Sequence, residues 1–98
     1  MPVHVYVISL SPKSANKEVS KKRIREGGRA YYVGSTALPP ELRLEQHLKG
    51  KKGGNHVVRR WGLGISKVWR FPNREVAEAA ETRIARALHN AGNVVYQG

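Results

Sequence analysis

From Val3 to Leu10 the chain is dominated by β-branched and aromatic residues, and the run stops at Ser11-Pro12. That pattern predicts a strand. Residues 13–29 are polar and basic, ending near Gly27-Gly28, and read as an exposed loop with a helical turn around Val19–Arg25. Ala30 to Ser35 is a second strand with Gly34 at its end, and the two strands are expected to pair as an antiparallel hairpin. Pro39-Pro40 suits a helix start. The helix PELRLEQHLK then runs to Gly50, a candidate cap. Lys51 to Asn55 is a basic, glycine-containing loop. His56 to Trp61 reads as a short helix stopped by Gly62, and Leu63 to Phe71 as a third strand ended by Pro72-Asn73. Arg74 to about Asn90 is alanine-rich and strongly helical. Gly92 stops it, and Val94 to Tyr96 forms a short extended tail. No repeat or composition break divides the chain, so residues 1–98 make one domain carrying a basic loop at 13–29.

The last helix carries the most specific signal. At about 100° per residue, Val76, Ala80, Ile84, Ala87, Leu88 and Ala91 gather into one apolar stripe, with Ala77 at its edge. Glu75 and Glu78 fall on the outer face, whereas Glu81 lies on the margin of the stripe. A carboxylate there is partly buried and calls for a cation or hydrogen-bond donors; a rim ion pair with a basic residue is the ordinary alternative. In the first helix Arg43 and His47 share one face, able to hold a phosphate and relay a proton. Leu44 and Leu48 occupy another face and are expected to pack inward. Tyr6 and Tyr32 sit on the two hairpin strands, where tyrosines commonly serve packing. Trp61 and Trp69, among apolar neighbours, are expected in the core.

Charge changes the picture. Eighteen Lys and Arg face seven acidic residues, giving a formal net charge of +11 over 98 residues. Such an excess concentrates polyanions, and nucleic acid is the expected partner. Lys21, Lys22, Arg23 and Arg25 in the first loop are candidate backbone contacts, as are Lys51, Lys52, Arg59 and Arg60 after the first helix. Every acid is a glutamate, which disfavours sites built on clustered aspartates. A Mg²⁺ held by one carboxylate and several waters is compatible with that composition. Cysteine is absent, excluding disulfides and thiolate zinc sites. No run of about 20 apolar residues suggests a membrane span. A soluble, cytoplasmic protein is therefore the expectation.

Together these residues resemble the GIY-YIG nuclease family. His4-Val5-Tyr6 and Tyr32-Val33-Gly34 stand where that family carries its two tripeptides, and Tyr32 to Thr36, YVGST, is close to the usual wording of the second. Arg43-Leu44-x-x-His47 and Ala77-x-x-x-Glu81 are similar to its arginine, histidine and metal-binding glutamate. Asn93, with Asn90 as the alternative, is similar to its late asparagine. His4 replaces the first motif's glycine and Val33 the second's isoleucine, and the loop at 13–29 is longer than in minimal members.

The resemblance implies an α+β fold with a three-stranded antiparallel sheet flanked by helices. It also implies a site where Tyr6, Tyr32, Arg43, His47, Glu81 and Asn93 converge. The implied activity is hydrolysis of DNA phosphodiester bonds in repair or recombination. Glu81 would hold one Mg²⁺ or Mn²⁺, Arg43 would offset phosphate charge, and either Tyr6 or His47 would activate water. A partner protein or domain could supply specificity. Two other readings compete: a non-catalytic nucleic-acid-binding module with this fold, and a small structural protein of a ribonucleoprotein assembly.

Overall fold

The computed structural model describes residues 2–11, 29–49 and 56–97, with the backbone alone at His56, Val57 and Trp61. The elements in chain order are β1 (Val3–Leu10), β2 (Ala30–Thr36), α1 (Pro40–Leu48), α2 (His56–Trp61), β3 (Gly62–Phe71), α3 (Arg74–Asn90) and β4 (Val94–Gln97). The expected loop at 13–29 lies outside the described residues apart from Arg29. So do the helical turn at Val19–Arg25, the cap at Gly50 and the loop at 51–55.

β1 is central because its side chains are apolar on both faces. Val3, Val5 and Val7 point to one side with Val33, Ala77 and Ala80. Tyr6, Ile8 and Leu10 point to the other with Tyr32 and Val58. A strand covered on both faces needs no polar alternation. The sheet is therefore sandwiched, with α3 on the first face and α1 and α2 on the second. Trp69 is half-buried against the α3 face.

The sheet corrects the expectation of three antiparallel strands. It has four, in the order β3-β1-β2-β4, and is mixed. β1 pairs antiparallel with β2, placing Tyr6 opposite Gly34, and antiparallel with β3 through two register shifts. The tail is a full edge strand, parallel to β2 from Ala30↔Val94 to Val33↔Gln97. Four residues carry too little periodicity to announce a strand, and a parallel partner remote in sequence leaves no local turn signal.

The joint that makes β4 possible is explicit. Gly92 takes φ of 96°, a left-handed conformation that suits glycine after a helix. Gly92 N donates to His89 O at 2.9 Å and Asn93 N to Leu88 O at 3.2 Å, closing a Schellman motif. Asn93 Nδ2 also donates to Leu88 O at 3.0 Å. Its Oδ1 accepts from Arg29 N at 2.9 Å, and Val94 N donates to Arg29 O at 2.9 Å. One side chain thus ties the end of α3 to the start of β2 and sets the β4 register.

α3 is turned relative to expectation. Its buried residues are Ala77, Ala80, Glu81 and Ala85, flanked by half-buried Ile84 and Leu88. Val76 is 40% exposed, and Ala87 and Ala91 are exposed. The buried stripe is rotated by roughly 60° on the helical projection. Alanines occur around most of this helix, so hydrophobicity alone specifies its face poorly. The rotation carries Glu81 from the margin into the buried face. Leu48 also departs from expectation at 43% exposed, while Leu44 packs against the α1-side core. Among the described residues no helix is long and apolar enough to cross a membrane.

Asn93→Ala is expected to lower stability by about 0.5–1.5 kcal/mol, the net worth of the side-chain hydrogen bonds lost at this joint. Asn90→Ala, at an exposed position, should be near neutral. Denaturant melts check this, and equal midpoints for the two variants would refute the clamp.

Candidate active site

The hairpin builds the floor of the site. Because Tyr6 stands opposite Gly34, its ring lies over the glycine backbone. A Cβ at Gly34 would meet the Tyr6 hydroxyl oxygen at 2.6 Å and Cζ at 2.8 Å, closer than real Cβ contacts allow. Glycine is therefore required there by the tyrosine. Tyr32 leans against the same ring, with centroids 6.3 Å apart.

α1 supplies the next two groups. Thr36 Oγ1 accepts from Leu38 N at 3.0 Å in the turn that leads from β2 into the helix. Pro39 and Pro40 then start α1, with Pro40 at its first position. Along α1, Arg43 and His47 share a face as expected, but they differ in burial. His47 is fully buried at the end of the helix, edge-on to Tyr32 at 5.4 Å between centroids. Its Nε2 lies 2.9 Å from the Tyr6 hydroxyl. Arg43 is half-buried, and its Nη1 donates to Gln46 Oε1 at 3.0 Å.

Burial and the neighbouring Arg43 charge push His47 down from its ordinary 6.5 to about 4. The imidazole is thus neutral at neutral pH. Burial, and then Tyr32, raise the Tyr6 hydroxyl far above its ordinary value, against the opposing charge and hydrogen bond of Arg43. Both groups are therefore neutral, and in the tautomer with the proton on Nδ1 the Tyr6 O–H donates to His47 Nε2.

α3 and β4 complete the site from the opposite side of the sheet. Pairing of β2 with β4 ends at Val33↔Gln97, so Gly34 and Ser35 continue past the β4 end. There a polar cavity of roughly 420 Å³ opens, bringing Tyr6, Tyr32 and Arg43 together with Glu81. Glu81 is 6% exposed, and its Oε2 accepts from Gln97 Nε2 at 2.9 Å. A neutral amide satisfies one lone pair without offsetting the charge.

Four of the expected site residues thus line one cavity, and His47 stands directly behind Tyr6. Asn93 does not line it, because its side chain is engaged in the scaffold joint. Several lining residues were not singled out from the sequence: Gly34 as a steric requirement, Arg74, Glu78, Thr82 and Gln97. Glu78 is exposed as expected, yet it stands at the cavity rim one helical turn from Glu81. The i, i+3 and i, i+4 spacing of Arg74, Glu78, Glu81 and Thr82 was a usable signal for that face of α3. Gln97 was invisible without β4. Arg59 and Arg60 are exposed on α2. Lys21, Lys22, Arg23, Arg25, Lys51 and Lys52 lie outside the described residues.

Tyrosine, arginine and glutamate around one polar cavity, with a histidine behind the tyrosine, make a set of groups suited to hydrolysing a phosphate ester. Residues 5–93 match the GIY-YIG catalytic domain, and the chain belongs to that family of phosphodiester-cleaving nucleases. No curated protein and no solved structure matched the chain.

The low basicity of His47 has a pH consequence. Its folded-state value, about 4, lies below the ordinary 6.5, so the unfolded chain takes up the proton first as pH falls. The contribution of the neutral imidazole to stability is full above about pH 6.5 and is lost progressively on acidification toward about pH 4. Denaturant melts across that window should show the loss in the wild type and a reduced loss in His47→Gln. Parallel pH profiles for the two proteins would contradict it.

Proposed function

We propose that this domain is a metal-dependent endonuclease that hydrolyses DNA phosphodiester bonds, with Tyr6 and His47 acting as one proton-accepting pair. The observation that carries this reading is the 2.9 Å contact between the Tyr6 hydroxyl, which lines the cavity, and a buried neutral His47, which does not. Tyr6 alone is a poor base because its own proton is held tightly. His47 alone cannot reach water held in the cavity. In sequence they can act: the attacking water gives a proton to Tyr6 Oη as the tyrosine proton passes to His47 Nε2. The water oxygen bonds to phosphorus, and the bond to the leaving 3′-oxygen breaks. Burial is the larger cause of the low His47 basicity, and a bound phosphodiester beside Arg43 would offset only the part due to the Arg43 charge. Arg43, steadied by Gln46, offsets charge that builds on the phosphate.

The family generally uses a divalent metal, and the donor set here fits one. Among the described residues no group of three or more His, Cys, Asp or Glu gathers to enclose an ion. Glu81 instead offers one buried carboxylate at an open polar cavity, which suits Mg²⁺ or Mn²⁺ that keeps most of its water. Glu81 would hold such an ion, which would supply polarisation of a phosphate oxygen and stabilisation of the leaving oxygen. Gln97 holds the Glu81 carboxylate in place. The proposed site contacts only phosphate, so sequence preference would come from elsewhere, including a partner protein or domain. A role in DNA repair or recombination is compatible with that chemistry.

The test is cleavage of plasmid and branched DNA with Mg²⁺, with Mn²⁺ and with chelator. Wild type should cut only with metal, Glu81→Gln should lose cleavage, and Tyr6→Phe should slow it by about 10²–10⁴-fold. Glu75→Gln, exposed and away from the cavity, should cut like wild type. Glu78 is not a neutral control, since it stands at the rim. Binding without metal-dependent cutting would favour a non-catalytic module instead.

A further inference from the structure

A second cavity, roughly 300 Å³, lies between the C-terminal half of α3 and β4. It is lined by Thr82, Ala85, Arg86, His89, Val95 and Gln97. Thr82 and Gln97 also line the catalytic cavity, so the two are neighbours across one shared wall. At that wall Gln97 Nε2 lies 3.5 Å from Thr82 Oγ1.

We infer that this groove is a phosphate-binding subsite for the nucleic-acid strand flanking the bond that is cut. Its chemistry differs from that of the catalytic cavity. Buried Ala85 and half-buried Val95 give it a small apolar floor, suited to sugar. Arg86 and His89 supply exposed donors, and no carboxylate lines it. A strand leaving Glu81 over the Thr82–Gln97 wall therefore meets donors without an opposing charge. Thr82, Arg86 and His89 recur at helical spacing on one face of α3. The helical rise puts Arg86 about 7.5 Å and His89 about 12 Å beyond Glu81 along the axis. On the opposite side of Glu81, Arg74 lines the catalytic cavity. α3 thus presents a guanidinium before and after the proposed reaction centre, a direction for the strand along the helix.

The inference rests on the nuclease reading, and its test separates the two. Arg86→Gln and the double variant Arg86→Gln, His89→Gln are compared with Arg83→Gln. Arg83 is exposed on the same helix but lines neither cavity. Binding of a short DNA duplex is measured in chelator across a salt series, and steady-state cleavage is measured with Mg²⁺. Arg86→Gln should flatten the slope of log K against log salt by about 0.9, the signature of one lost phosphate contact. It should raise KM about three- to five-fold, as for an exposed ion pair, with kcat near wild type. The double variant should weaken binding further through the lost imidazole hydrogen bond, and Arg83→Gln should change neither quantity appreciably. Equal losses in Arg83→Gln and Arg86→Gln would overturn the subsite, leaving only general surface charge. A fall in kcat with KM unchanged would also overturn it, by placing Arg86 in the reaction itself. Absence of cleavage by the wild type would sink the nuclease reading, while the salt slopes in chelator would still decide whether the groove holds phosphate.

Discussion

The Tyr6 ring lying over the backbone of Gly34 is the contact on which the rest of the site depends. The antiparallel register sets these two residues opposite each other, and the glycine leaves room for an aromatic ring to lie down instead of standing off the sheet. From that position the hydroxyl reaches His47 at 2.9 Å while still facing the cavity. A side chain at position 34 would lift the ring and remove both relationships together. Dispersion contacts of a close-packed interior fall off steeply with separation, so the displacement would not be absorbed without cost.

The second constraint is the pairing of β4, which runs along β2 from Ala30 to Val33, with Gly34 and Ser35 lining the cavity next in β2. The two faces of the sheet meet at that point. Tyr6, Tyr32 and Arg43 come from the side of α1, and Glu81 comes from α3. The last residue of β4 also hydrogen-bonds the Glu81 carboxylate. Asn93 therefore matters to the site through the strand it positions, not through contact with the cavity. The chain of dependence runs from Gly92 and Asn93 through β4 to Gln97 and Glu81.

Charge is distributed with a division of labour. Burial keeps Tyr6 and His47 both neutral. Arg43 contributes, after burial, to suppressing His47, so in the proposed reaction a phosphate at Arg43 would be electrostatically linked to His47. The wider excess of positive charge, +11 over the chain, acts at longer range by gathering polyanions and orienting them loosely.

Local pattern was enough for most of the elements. The span of α3, Arg74–Asn90, follows from its composition and its bounding asparagine and glycine, and β1 follows from its continuous apolar run. The candidate residues Tyr6, Tyr32, Arg43, His47 and Glu81 were singled out by their resemblance to the family's motifs, and the structure brings four of them to one cavity with His47 behind Tyr6. What pattern could not supply was anything set by a distant partner. β4 was too short to be periodic and found its place only by pairing with β2. The buried face of α3 was ambiguous because alanine occurs around the helix, and only packing against the sheet turned Glu81 inward. The glycine at position 34 was visible as a letter, but the reason for it is a ring from another strand. Gln97, Thr82 and Arg74 became site residues only when the end of β4 was brought beside α3. Propensity acts over a few residues and is readable in one dimension, whereas register, helix rotation and burial arise from contacts between segments far apart in the chain.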